Sequence, residues 1–168
     1  MTPEEFDEFY AVSFSRLVGQ LHAMTGDWAE AQDVVQEAFI RAWDRRERFD
    51  LANAPEAWIR TVAWRLAVSR LRRVRRGMQL LRRAHTEQHV DPPDDERPLL
   101  VAALRRLPEP QRRAIVLHHL CDLSVEQVAA ETESSVSTVK ARLARGRSAL
   151  ARVLRETVAP QEKEDVRA

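Results

Sequence analysis

Ser124-Val-Glu-Gln-Val-Ala-Ala-Glu131, Thr132-Glu-Ser-Ser135 and Val136-Ser-Thr-Val-Lys140-Ala-Arg142 follow one another without a break. The first segment reads as a short amphipathic helix and the second as a tight turn, and Val136 opens a longer basic helix. That order is the helix-turn-helix arrangement, whose second helix lies in the DNA major groove. Small Ala129 lets the two helices approach, while Val128 and Val139 fill the wedge between them. Ser137, Thr138, Lys140, Ala141 and Arg142 fall near the end of the second helix that meets base edges. Arg145, Arg147 and Arg152 fall further along, against phosphates. Glu133 stands where such turns usually place a left-handed glycine, at a cost of about 1 kcal/mol for a residue bearing a Cβ. Glu131 and Thr132 are polar where apolar packing is usual. A helical hairpin that never meets DNA is the rival reading of this segment alone.

Working outward, apolar spacing predicts helices on both sides. Val136, Val139, Leu143, Leu150 and Leu154 form one stripe with Gly146 on it, and Leu99, Leu100, Ala103, Leu104 and Leu107 form another. Pro108 and Pro110 precede a further helix bearing Ile115, Val116 and Leu120. In the other direction, Asp91-Pro92-Pro93-Asp94-Asp95-Glu96 is a linker by composition. Phe6, Tyr10, Phe14, Leu17, Leu21 and Met24 step by three or four along a first helix that Gly26 stops and after which Asp27 caps the next. That second helix carries Ala31, Val35, Ala38 and Ala42, flanked by Val34, Phe39 and Trp43. The loop Phe49–Asn53 follows, and Pro55 suits the first turn of a third helix. This helix turns Ile59, Val62, Ala63, Leu66 and Ala67 inward and Arg60, Arg65, Arg72, Arg73, Arg75 and Arg76 largely outward. The expected fold is all-α: helical domains at 1–76 and 99–158, the second with the helix-turn-helix, a flexible linker at 77–98 and a tail at 159–168.

The 27 basic and 26 acidic residues of this 168-residue chain nearly cancel, but they are segregated. Residues 1–53 carry a net −6, residues 54–84 a net +8, residues 85–98 a net −4, and residues 133–159 a net +4. Two basic blocks divided by an acidic one suggest two separate contacts with a polyanion, although a solvated helix face is the alternative for either block alone. The single Cys121 excludes an intramolecular disulfide framework and suits a reducing compartment. No apolar run approaches the ~18 residues a membrane span needs, and the acidic start (Glu4, Glu5, Asp7, Glu8) does not look like a signal peptide. A cytoplasmic protein is expected.

Taken in order, these segments resemble the sigma-70 superfamily, specifically its extracytoplasmic-function (ECF) group of bacterial RNA polymerase sigma factors. Gly26-Asp27-Trp-Ala-Glu30-Ala-Gln-Asp33-Val-Val-Gln36-Glu37-Ala-Phe39-Ile-Arg-Ala-Trp43 looks like the group's core-polymerase-binding segment. Ala57-Trp58-Ile59-Arg60-Thr-Val62-Ala63-Trp64-Arg65-Leu66-Ala67 with Arg72-Arg73 looks like its −10-reading helix. Leu104-Arg-Arg-Leu107-Pro108-Glu-Pro-Gln-Arg112, Leu123-Ser124 and Val139-Lys140-Ala-Arg142-Leu143-Ala-Arg145-Gly-Arg147 resemble its −35-reading domain.

The resemblance implies a non-enzymatic factor that directs promoter-specific initiation, with core RNA polymerase and promoter DNA as partners. Asp33, Gln36, Glu37 and Phe39 would dock on the β′ clamp helices, and the C-terminal domain would meet the β flap. Val34, Phe39 and Trp43 have ordinary core packing as their alternative, and Trp43 reads better that way. At −10, the loop holding Phe49, Asp50 and Asn53 would capture a flipped base, and Arg60, Trp64, Arg65, Arg72 and Arg73 would line the strand. Extruding a base costs a few kcal/mol of stacking, so a pocket that replaces it drives melting. Trp64, like Trp58, has core packing as its alternative. Arg65 stands where the family often has Asn; Asn pairs with adenine and Arg prefers guanine, so the −10 preference would differ. At −35, Ser137, Thr138, Lys140, Arg142, Arg145 and Arg147 would contact duplex. An anti-sigma factor, which in this family commonly wedges between the two domains, would be a further partner.

Tether length is compatible: the linker's 22 residues reach at most ~73 Å, and elements two duplex turns apart are separated by ~70 Å. The acidic stretch Asp91–Glu96 would suit a basic polymerase channel, with a merely soluble linker as the alternative. No phosphate-cradling glycine loop or nucleophile elbow occurs. His118, His119 and Cys121 form the sole metal-like cluster, but a fourth ligand is lacking, so neither metal nor cofactor is expected. The rivals are a stand-alone helix-turn-helix regulator, which would not need the Asp27–Trp43 segment, and a helical adaptor, which would need neither basic block.

Overall fold

The Thr2 hydroxyl accepts the Glu5 N–H at 3.2 Å while the Glu5 carboxylate accepts the Thr2 N–H at 2.7 Å. This reciprocal capping box starts helix α1 (Pro3–Thr25). In the computed structural model, which describes residues 1–49, 54–80 and 98–158, all regular structure among the described residues is helical. The chain divides into two compact units, Met1–Asp94 and Asp95–Ala168.

In the first unit, Gly26 ends α1 with φ 76°, donating its N–H to the His22 carbonyl at 2.7 Å. The left-handed cap is one that glycine adopts without a Cβ penalty. Asp27 then caps α2 (Trp28–Trp43) by accepting the Glu30 N–H at 2.9 Å. A short 3-10 turn at Arg46–Arg48 follows, and α3 runs Pro55–Leu80. The α1 stripe and the α2 stripe meet α3 through Leu17, Leu21, Met24, Val34, Val35 and Ile59, all essentially without exposure. Each such side chain contributes about 1.5–3 kcal/mol of transfer free energy, so this interface, rather than helix propensity, holds the unit.

Two boundaries differ from the sequence reading. Helix α3 continues four residues into the segment assigned to the linker, past Gly77, and α4 begins at Pro98 rather than 99. Nothing lies within 4 Å of where a Cβ at Gly77 would be, and a lone glycine costs a helix only about 1 kcal/mol, too little to stop one with good helix formers on either side. The core of the first unit nonetheless ends earlier: residues 71–78 are all exposed, including Leu71, Val74 and Met78.

In the second unit, α4 (Pro98–Arg105) leads to α5 (Glu109–Ile115), whose end widens into a π-helical turn over Val116–Leu120. The Cys121 N–H bonds the Val116 carbonyl at 3.1 Å, five residues back, which marks the wider turn. Helices α6 (Val125–Glu131) and α7 (Val136–Val158) complete the unit. Leu104, Ile115, Leu117, Val128, Val139 and Leu143 form its buried centre. The Arg106–Glu156 pair at 3.0 Å is half-exposed at both ends and contributes only about 0–1 kcal/mol.

Candidate nucleic-acid interface and the surface of α2

Backbone bonds and hydroxyls together hold the turn between α6 and α7. Ser124 caps α6 in a second capping box, with Gln127 returning the bond to the Ser124 N–H at 2.8 Å. At the other end of α6, the Thr132 hydroxyl donates to the Val128 carbonyl at 2.7 Å. The Ser134 N–H reaches back to the Ala129 carbonyl at 2.9 Å. Glu133 sits at φ 53°, the left-handed turn position expected of it despite its Cβ. Polar Glu131 and Thr132 are accommodated because their backbone and hydroxyl groups close the helix end. Arg113 of α5 donates to the Glu131 carbonyl at 3.3 Å, a cation placed against the negative end of α6.

Ser135 then starts α7, its hydroxyl accepting the Thr138 N–H at 3.2 Å. The same oxygen lies 2.8 Å from Thr138 Oγ1 and 3.1 Å from Ser137 Oγ, so these two hydroxyls belong to one cap network. Val139 and Leu143 are buried against α5 and α6, which turns Ser137, Lys140, Ala141 and Arg145 to the exposed side. Arg142 is half-buried and donates through Nη1 to Ser134 Oγ at 2.8 Å. Arg147 is exposed and donates through Nε to His119 Nε2 at 3.2 Å. That bond requires a neutral His119 ring with its proton on Nδ1. His119 is an exposed residue, and partial desolvation of its ring, with His118 and Arg147 beside it, holds the imidazole below its ordinary protonation range. His118 is turned elsewhere, with Nδ1 2.7 Å from the Leu123 carbonyl.

On the first unit, the surface of α2 divides adjacent residues. Asp33 and Gln36 are exposed, Glu37 pairs with Arg41 at 3.0 Å, and Ile40 is 56% exposed. Residues 33, 36, 37 and 40 share one face. Arg70 of α3 approaches it, 3.6 Å from Glu30 and 4.0 Å from Asp33. Burial raises the Glu30 carboxyl above its usual range, against the opposing pull of Arg70. Phe39, grouped with this face on the sequence, points the other way. It is 3% exposed, and its ring lies 4.9–6.1 Å from those of Tyr10, Phe9, Phe14 and Phe6. Phe39 is a core residue, and the apolar side chain the surface presents is Ile40, which sequence reasoning missed. The i+7 relation of Ile40 to Asp33 was the available signal. Trp43, read from the sequence as a core residue, is exposed at 37%, although one edge meets Phe6 at 5.2 Å and Arg46 covers its ring at 4.2 Å.

Along α3, Arg65, Arg72 and Arg73 are exposed as expected. Arg60 is not. It is 4% exposed and lies 3.8 Å from Glu56, which also pairs with Arg16 of α1. The outward placement of Arg60 is thus corrected. Its i+3, i+4 and i+7 neighbours Ala63, Trp64 and Ala67 are all buried, so it shares the inward face. Trp64, at 9% exposure, is likewise a core side chain in this unit rather than a stacking platform. Phe49 packs edge-to-face on Trp58, ring centroids 5.0 Å apart, which ties the start of the candidate base-capturing loop to α3. Asp50 and Asn53 lie outside the described residues, as do most of the linker and the tail. No helix among the described residues is long and apolar enough to cross a membrane.

Comparison with known proteins covers both units. The Sigma-70 region 2 family matches residues 12–77, and the Sigma-70, region 4 family matches residues 97–150. The chain is 30% identical over 166 residues to the ECF RNA polymerase sigma factor SigW of Bacillus subtilis, covering 89% of this chain and 84% of that one. It is 31% identical over 162 residues to the RNA polymerase sigma-E factor of Streptomyces coelicolor, covering 92% and 87%. In fold it is similar to the sigma factor RpoE from Bartonella quintana, solved in complex with the anti-sigma factor NepR. The TM-score is 0.76 at 24% identity, over 90% of this chain and 98% of that one.

Proposed function

The chain belongs to the sigma-70 family, within its ECF group of RNA polymerase sigma factors, and from that footing we propose how three of its surfaces divide the work of initiation. As a member it is not a catalyst: it directs transcription initiation through a region 2 and a region 4, and polymerase carries the chemistry. The α2 face of Asp33, Gln36, Glu37 and Ile40 docks on the β′ clamp helices of core enzyme, and the second unit meets the β flap. Exposed Arg65, Arg72 and Arg73 on α3, with the loop at 49–53, engage the −10 strand as it opens. The first turns of α7 enter the major groove at −35, where Arg142 and Lys140 meet base edges and Arg145 and Arg147 meet phosphates. Acting on core enzyme and promoter DNA, the protein works in the cytoplasm.

The observation that supports this reading is a contrast between exposed surfaces: the α2 face carries Asp33 and Glu37, each met by an arginine, beside Gln36 and exposed Ile40, whereas exposed arginines crowd α3 and α7. The first suits a protein partner, and the other two suit phosphates. An anti-sigma factor is a further partner, for which Leu71, Val74 and Met78 supply an exposed apolar stripe at helical spacing on α3. The test is gel filtration with purified core RNA polymerase. The chain is expected to co-elute with core, and the triple variant Asp33→Ala, Gln36→Ala, Glu37→Ala to elute free with unchanged circular dichroism. Full co-elution of that variant would remove the α2 face from the proposal.

A further inference from the structure

The Ser134 hydroxyl stands between the turn and the recognition helix with each of its roles assigned. It lies 3.2 Å from the Thr132 carbonyl, which can only accept, so its proton is committed there. The lone pairs that remain accept Arg142 Nη1 at 2.8 Å. The Ser134 backbone is itself fixed by its N–H on the Ala129 carbonyl at 2.9 Å. Arg142 is thus bonded to a rigid point on the turn, eight residues away in sequence. A guanidinium has five N–H donors in a planar fork, so one bond to Ser134 leaves others for a bidentate base contact, which favours guanine O6 and N7. An untethered arginine loses rotamer freedom when it binds, and this one has already lost much of it.

We propose that Ser134 is a positioning residue for −35 specificity: its hydroxyl orients the Arg142 guanidinium toward a single base pair. The inference rests on the reading that Arg142 meets a −35 base edge. Ser134 itself need not touch DNA. Its removal would leave the charge of the surface unchanged and so spare the phosphate-driven part of binding. The loss falls on discrimination at the base pair that Arg142 reads, where an unrestrained side chain has more ways to sit and fewer that fit.

The test uses the full chain assembled with core RNA polymerase and a pool of duplexes randomised over both promoter elements. The sequences retained by the holoenzyme are counted. Arg142→Ala is expected to flatten the preference at one −35 base pair. Ser134→Ala is expected to weaken preference at that same pair by about 2–10-fold, the equivalent of immobilising one rotamer-rich side chain. Ser134→Thr, which keeps the hydroxyl, restores it, and adding Ser134→Ala to Arg142→Ala changes nothing further. Salt dependence on duplex lacking a −35 element stays as in the parent. Should Arg142→Ala leave every base preference intact, the reading of Arg142 falls and the positioning role with it. If Arg142→Ala acts as expected but Ser134→Ala weakens all sequences alike, only the positioning role is lost. Sharper preference in Ser134→Ala would mean that the hydroxyl restrains Arg142 from DNA, which also overturns the proposal. Thermal melting of each variant separates these outcomes from loss of fold.

Discussion

Gly146 on α7 packs so closely on Ile115 of α5 that a β-carbon at 146 would lie 2.9 Å from Ile115 Cγ1 and 3.3 Å from its Cδ1. Ile115 is 2% exposed and has little room to retreat. Gly146→Ala gains about 1 kcal/mol of helix propensity but overpacks a tight contact, which costs roughly 1–3 kcal/mol. Net destabilisation is expected in denaturant melts. In an Ile115→Ala background the sign reverses, because the new methyl enters vacated space while the propensity gain remains. Additivity of the two substitutions would show that the contact does not limit this helix pair.

Gly146 falls on the apolar stripe of its helix, so its inward position was legible in the sequence; the closeness of its neighbour was not. The same holds more widely. Periodicity with the stop at Gly26 and the cap at Asp27 located α1 and α2, because both residues act on their own local backbone. Periodicity also located the α6–α7 turn; the Ser124 cap was a further local signal there that the sequence reading did not use. Direction was harder wherever two adjacent residues suited either side. Phe39 and Ile40 are both apolar, and only the aromatic rings contributed by α1 decide that Phe39 turns inward. Arg60 is hidden for a long-range reason too: Arg16 on α1 and Glu56 together form a polar setting beside it that no local pattern displays.

The division between Phe39 and Ile40 gives opposite expectations for neighbouring substitutions. Phe39→Ala removes a buried ring and is expected to cost about 3–5 kcal/mol, read as a lower melting temperature for the first unit. Ile40→Ala changes a half-exposed side chain and is expected to leave that temperature within error. It weakens co-elution with core polymerase instead. A melting loss from Ile40→Ala comparable to that of Phe39→Ala would mean that Ile40 is structural.

His119 supplies a pH test of the second unit. Partial desolvation of the ring, His118 and Arg147 favour the neutral form, so its protonation midpoint is expected below the ordinary value of about 6.5. Because the folded midpoint is depressed, the associated stability is present above 6.5 and is lost as pH falls through the folded midpoint. Arg147→Ala removes one of the three causes and is expected to move the midpoint upward. Imidazole C–H resonances followed against pH by NMR read this directly. An unmoved or lower midpoint would show that Arg147 does not contact the ring in solution.

Arg60 and Arg65 lie five residues apart on α3, one buried beside half-buried Glu56 and one exposed, and this separates structure from strand opening. Arg60→Ala breaks a charged contact in the core and is expected to cost about 1.5–3 kcal/mol in stability. Its transcription defect should therefore appear on every template and grow with temperature. Arg65→Ala is expected to leave the melting temperature unchanged and closed-complex binding largely intact. Its defect is confined to opening, read as weaker permanganate reactivity of unpaired thymines near −10. A template with a pre-melted bubble there supplies the open strand in advance, and so is expected to rescue Arg65→Ala in part. It does nothing for Arg60→Ala, whose shortage is folded protein. Nor does it help Arg142→Ala, whose loss is duplex contact at −35 and vanishes only when the −35 element is scrambled for parent and variant alike. Equal rescue of all three variants by the bubble would mean that opening limits each of them, and the assignment of α3 to −10 and α7 to −35 would not stand.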